Sequence, residues 1–159
     1  MNSAIERLLS LRVSDVMQRH VIQLPAYGMM SEAAETFLKH EISGAPVVDD
    51  HGCCVGILSA LDFVRRERDL AQGRAAECKQ AKSGPKPMLN LGFFDDERIE
   101  RNMIRNVQSV TAEATLMDAA RIMCAAHVHR VPVLDASERP IGMVSSLDIV
   151  AAIVHAIEE

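Results

Sequence analysis

Gly56-Ile57-Leu58-Ser59-Ala60-Leu61-Asp62 decides the fold, because Gly142-Met143-Val144-Ser145-Ser146-Leu147-Asp148 repeats its pattern 86 residues later. Each stretch reads as a buried strand that ends in a hydroxyl residue and opens a helix, with a carboxylate three positions beyond the hydroxyl. Such a carboxylate at a helix N-terminus is placed where a ribose and its phosphates can be held. The same spacing is also a capping box, in which the serine oxygen caps a backbone N–H and the acid reaches back to the cap residue. For one isolated occurrence the cap is the simpler reading. A carboxylate can serve either role, depending on ligand.

Outward from these stretches, the whole chain keeps the offset without a gap. Val21-Ile22-Gln23-Leu24 reads as a strand, and residues 25–28 as the turn after it. From about Met29 a helix places Met30, Ala33, Ala34, Phe37 and Leu38 on one apolar face. Their copies are Leu116, Ala119, Ala120, Met123 and Cys124, and Met17 and Val21 recur as Met103 and Val107. Ala45-Pro46-Val47-Val48 forms a short strand whose proline is tolerated near its start or on an edge. A hairpin turn at Asp49-Asp50-His51-Gly52 leads into the strand that ends at Leu58, and a helix follows from Ala60 toward Ala81. Each repeat is therefore strand, helix, strand, strand, helix. One repeat alone buries too little surface, so the two are expected to share one core as a pseudo-two-fold pair.

The expected organisation is an N-terminal helix over 1–12 carrying Ile5, Leu8 and Leu9, a first repeat over 13–69, a linker over 70–98 and a second repeat over 99–159. Within the linker, 80–87 is polar, and 95–105, leading into the second repeat, is expected to be helical. The stretch 88–94, Met-Leu-Asn-Leu-Gly-Phe-Phe, is unusually apolar. It reads first as a satellite cluster packed on the repeats, and alternatively as a partner surface or ligand lid.

With 48% hydrophobic and 25% charged residues among 159, the chain is globular, and its net charge of −5 lacks the basic footprint of a nucleic-acid binder. One Tyr, four Phe and no Trp leave few platforms for stacking bases. No segment reads as a signal peptide or membrane span, which predicts a cytoplasmic protein. Cys53, Cys54, Cys78 and Cys124 form no Cys-x-x-Cys and read as reduced thiols. His127-x-His129 is a weak metal motif without a third ligand, better read as a partly exposed turn. Asp49, Asp50 and Asp135 read as turn-forming acids, and the run 65–69 as a solvated helix face. No nucleophile, base and oxyanion arrangement marks an enzyme.

The paired units, with Gly44-Ala45-Pro46-Val47-Val48-Asp49 and Gly56 to Asp62 and their copies, resemble the cystathionine β-synthase (CBS) domain family. The resemblance implies an α/β (α+β) fold of two pseudo-symmetric CBS repeats, a Bateman module, with ligand clefts between them. It also implies a stand-alone regulatory module that binds adenosine-containing ligands, such as AMP, ADP, ATP, S-adenosylmethionine or NAD, and modulates a partner protein without catalysing a reaction. No catalytic cofactor and no metal is implied, only an adenine nucleotide as regulatory ligand.

Carried onto matching positions, the resemblance assigns Asp62 and Asp148 to the ribose hydroxyls, with Ser59, Ser145 and Ser146 beside them. It sets Val107, Val128, His129 and Arg130 opposite Asp62, and Ile22, Ile42, Ser43 and Gly44 opposite Asp148. An Arg fork suits phosphate oxygens, so the cleft of Asp62 is expected to prefer the more phosphorylated ligand. The cleft of Asp148 is expected to take a less charged one or stay empty. Homodimerisation is expected through Leu61, Val64, Leu147 and the apolar positions of 149–154. The alternative is a dimeric scaffold with unoccupied clefts.

Overall fold

The computed structural model describes residues 2–78 and 97–158. The apolar stretch 88–94 and most of the linker lie outside them. The elements are α1 (Asn2–Ser10), α2 (Val13–Val16), β1 (Leu24–Pro25), α3 (Met30–His40), β2 (Gly44–Val48), β3 (Cys54–Ser59), α4 (Ala60–Cys78), α5 (Ile99–Asn102), α6 (Leu116–Ala126), β4 (Arg130–Leu134), β5 (Pro140–Ser145) and α7 (Ser146–Glu158). The expected α/β fold is present: each repeat contributes an amphipathic helix, a pair of adjacent strands and a second helix.

The expected single shared core is replaced by two. Among the described residues, one compact unit lies within Met1–Gln23, Asp50–Cys54 and Asn106–Glu159, and the other within Leu24–Asp49 and Val55–Arg105. In the first, Val13 and Met17 are buried among Val110, Leu116, Ala119, Met123, Val131, Val133 and Val144. In the second, Ile99 and Met103 are buried among Leu24, Met30, Ala33, Phe37, Val47 and Leu58. Val13 and Met17 are the counterparts of Ile99 and Met103, so the segment leading into each repeat completes the core of the other. Full burial of side chains such as Met30, Leu58, Leu116 and Ile99 contributes about 1.5–3 kcal/mol each.

Backbone bonds fix these lead-in segments. Gln18 and Met143 exchange N–H···O bonds of 2.8 and 2.9 Å, and their counterparts Ile104 and Ile57 do the same at 2.8 and 2.9 Å. The glycines of the deciding stretches make this approach possible. A Cβ on Gly142 would stand 3.1 Å from Met17 Cγ and 3.3 Å from the Gln18 carbonyl, and one on Gly56 would stand 2.8 Å from Met103 Cγ. No side chain fits at either position without moving the methionine.

Several local expectations are corrected. Of the strand expected over 21–24, only Leu24 joins Pro25 in β1, paired in parallel with Val47 and Val48. The second repeat has no second residue there: Val110 makes a single parallel bridge to Val133. Over 97–105 the helix is confined to Ile99–Asn102, because Arg98 and Met103 are extended and Ile104 pairs with Ile57. The helix expected from Ala60 toward Ala81 is α4, so residues 70–78, counted with the linker, are helical. On α3 and α6 the buried positions are Met30, Ala33, Phe37 and Leu116, Ala119, Met123, whereas Leu38 is 75% exposed and Cys124 is also exposed. The apolar stripe is thus narrower than its spacing suggests, by the same position in both repeats. Both helices end on a left-handed residue, Glu41 and His127, each with φ of 53°. His127 is therefore a helix C-cap, whose N–H donates to the Met123 carbonyl.

Candidate functional site

Each deciding stretch turns directly from strand to helix: Ser59 ends β3 and Ala60 opens α4, and Ser145 ends β5 and Ser146 opens α7. The acid lies in the first helical turn, where the helix dipole favours a negative charge. The first helical N–H of each is spent on the residue that leads into the neighbouring strand. Ala60 donates to the Ser43 carbonyl at 3.0 Å, and Ser146 to the His129 carbonyl at 2.8 Å. These bonds leave the carboxylates, rather than the first amides of the helices, as the polar features of the turns.

Asp62 is buried, 5% exposed, and its Oδ2 accepts from the Ser59 N–H at 2.7 Å and the Ser59 hydroxyl at 2.8 Å. Asp148 Oδ2 accepts from the Ser145 N–H at 2.7 Å and its hydroxyl at 2.6 Å, and the Asp148 N–H donates back to Ser145 Oγ at 3.2 Å. The acid thus reaches back to the serine in both repeats, and in the second the serine oxygen also accepts a helical N–H. This occupies one carboxylate oxygen and leaves the other to weaker partners.

Those partners differ between the repeats. Asp62 Oδ1 accepts from Arg65 Nη1 at 3.3 Å, across a pair whose arginine is 51% exposed. Asp148 Oδ1 accepts from Gln18 Nε2 at 3.4 Å. Arg65 has Ala151 as its counterpart and Gln18 has Ile104, so neither contact can be made at the other repeat. Reading 65–69 as a solvated face missed Arg65, since i,i+3 spacing from Asp62 was the available signal. Gln18 was missed because its approach depends on the exchange of lead-in segments.

The remaining expected residues divide between the units. Ser43 and Gly44 stand beside the start of α4, in the unit of Asp62, and Ile42 packs on the core of that unit. Val107, Val128, His129, Arg130 and Ile22 belong to the unit of Asp148. Arg130 is the cross-strand partner of Ser145, His129 is exposed, and Val128 packs against the core of that unit. Within the units, then, the structure brings Ser43 and Gly44 together with Ser59 and Asp62, and His129 and Arg130 together with Ser145 and Asp148.

A second polar cluster ties α4 to the lead-in segment of the second repeat. Arg66 Nε donates to both Glu97 oxygens, at 2.7 and 2.8 Å, and Arg66 Nη2 and Asn102 also donate to Glu97. Hydrogen bonding from Arg66 holds the Glu97 carboxyl below the usual glutamate range, and the pair raises Arg66.

The CBS domain family model matches residues 13–69 and 97–155. The chain belongs to the CBS domain family. Among curated proteins, it is 28% identical over 137 residues to L-aspartate semialdehyde sulfurtransferase of Methanocaldococcus jannaschii, covering 86% of this chain but only 22% of that protein. The chain thus spans about a fifth of the length of that relative. An uncharacterised protein of the same organism is 26% identical over 153 residues, with 89% of this chain and 90% of that protein covered. Among solved structures, the CBS domain pair of protein MJ0100, in complex with 5′-methylthioadenosine and S-adenosyl-L-methionine, is 28% identical with a TM-score of 0.67, covering 88% of this chain and 97% of that one. The CBS-pair protein CBSX2 of Arabidopsis thaliana shares the fold, with a TM-score of 0.72 at 19% identity, covering 94% of this chain and 99% of that one.

Proposed function

We propose that this CBS pair is a regulatory module that binds adenosine-containing ligands through Asp62 and Asp148 and thereby modulates a partner protein. The observation that carries the reading is the duplicated acid: each caps its helix with Oδ2 and holds Oδ1 only by a contact of 3.3 or 3.4 Å. A carboxylate oxygen with so weak a partner can accept a ribose hydroxyl without dismantling the cap. The CBS pair of MJ0100, solved with two adenosine compounds, supports the ligand class.

The acids bind the ribose, with Ser59, Ser145 and Ser146 beside them. Val107, Val128, His129, Arg130, Ile22, Ile42, Ser43 and Gly44 supply the remaining ligand contacts. Arg130 gives its ligand site the preference for phosphate. The role is regulatory rather than catalytic, and enzyme names among the relatives belong to much longer proteins. No helix among the described residues is long and apolar enough to cross a membrane, and we place the module in the cytoplasm.

An exposed stripe of Leu147, Val150, Ile153, Val154 and Ile157 along α7, with Leu61 and Val64 at the start of α4, favours association into a homodimer. The same stripe supports the alternative of a dimeric scaffold without ligand. Thermal unfolding with AMP, ADP, ATP, NAD and S-adenosylmethionine separates the two. A ligand at about a hundred times its Kd adds about 2.7 kcal/mol, a shift of several degrees. No shift with any of them leaves the scaffold as the function.

A further inference from the structure

We infer that Gln18 is a specificity-determining residue of the Asp148 site, reading the free hydroxyl pair of a ribose together with the carboxylate. The inference rests on the proposed role of Asp148 and concerns what distinguishes its site from that of Asp62. The main chain of Gln18 is held by the two-bond bridge to Met143 and by buried Met17 beside it, so its side chain starts from a fixed point. From there Nε2 reaches Asp148 Oδ1, the oxygen that the cap leaves over. At 3.4 Å, from an exposed Gln18 to a half-buried Asp148, the bond is weak enough to be exchanged for one to a ligand.

A carboxylate accepts only, whereas a carboxamide both donates and accepts. The two side by side match a vicinal diol, in which one hydroxyl donates to Asp148 Oδ1 and the other meets the Gln18 amide. Arg65, the corresponding partner of Asp62, only donates, and Ile104, the counterpart of Gln18, does neither. The Asp148 site therefore requires an unsubstituted ribose more strictly than the Asp62 site does.

Calorimetric titration of adenosine, 2′-deoxyadenosine and 3′-deoxyadenosine into the parent, Gln18→Ile, Gln18→Leu and Asp148→Asn tests this. Ile is the residue that the other repeat carries at this place in the same backbone bridge, and Leu is a second variant should Ile fold poorly. At the site lost in Asp148→Asn, the Gln18 variants bind adenosine about three- to tenfold more weakly. For one of the two deoxy compounds they match the parent. Unchanged discrimination, or tighter adenosine binding in both Gln18 variants, overturns the inference while leaving the Asp148 reading intact. No adenosine binding by the parent, or none lost in Asp148→Asn, overturns the Asp148 reading itself, and the inference with it.

Discussion

Replacing Gly56 by alanine drives a methyl group into the lead-in segment of the other repeat. The new carbon overlaps Met103 Sδ and stands 2.8 Å from its Cγ and 3.1 Å from the Ile104 carbonyl. The methionine is 8% exposed, so it cannot swing into solvent without opening the core, and the carbonyl is bonded to the Ile57 N–H at 2.9 Å. Overpacking of this kind costs about 1–3 kcal/mol. The lower entropy of the unfolded alanine chain returns about 0.4–1 kcal/mol of that. Urea unfolding should therefore show a net loss of about 1–2 kcal/mol, or roughly 0.5–1 M in the midpoint at the usual slope. Met103→Ala alone costs about 2–5 kcal/mol through the cavity it leaves. Because the new methyl partly fills that cavity, the double variant should cost at least about 1 kcal/mol less than the sum of the single ones. A neutral Gly56→Ala, or strictly additive costs, would refute the packing of Met103 on Gly56 and with it the exchanged lead-in segments.

The Glu97–Arg66 pair makes stability depend on acid pH. Because the folded carboxyl is held below its ordinary value, its contribution is present above the usual glutamate range and fades as pH falls through the folded pKa. Glu97→Gln should cost about 1–3 kcal/mol at neutral pH, and the gap to the parent should close on acidification; a gap that is constant with pH contradicts this. For the exposed stripe on α7, Leu147→Asp with Val150→Asp should give monomers in sedimentation equilibrium with an unchanged circular dichroism spectrum. A parent that is itself monomeric, or a variant that stays dimeric, would exclude this face as the interface.

Much of this molecule is legible in its sequence because a duplication supplies its own control. The constant offset marks the helix faces, the hairpins and the two Ser-x-x-Asp turns, each of which rests on local chemistry: periodicity, turn residues and caps. What the offset cannot show is which copy of a segment packs where. Val13 and Met17 would fit the core of either repeat by composition, and only the backbone bridges from Gln18 and Ile104 decide the exchange. The same limit hid Gln18 and Arg65, whose value lies in reaching an acid, not in a motif. Leu38 and Cys124 were misplaced for a different reason: spacing gives the centre of a helical stripe better than its edge, and the outermost position stays in solvent in both repeats.

The central claim is that Asp62 and Asp148 each hold a ribose. Its most direct test is calorimetric titration of AMP and of S-adenosylmethionine into the parent and into Asp62→Asn, Asp148→Asn and the double variant, with helix content checked in each. The account predicts saturable binding of at least one compound by the parent, weakened in a single variant and abolished in the double one. Binding that survives the double substitution, or no binding to a folded parent, would contradict it.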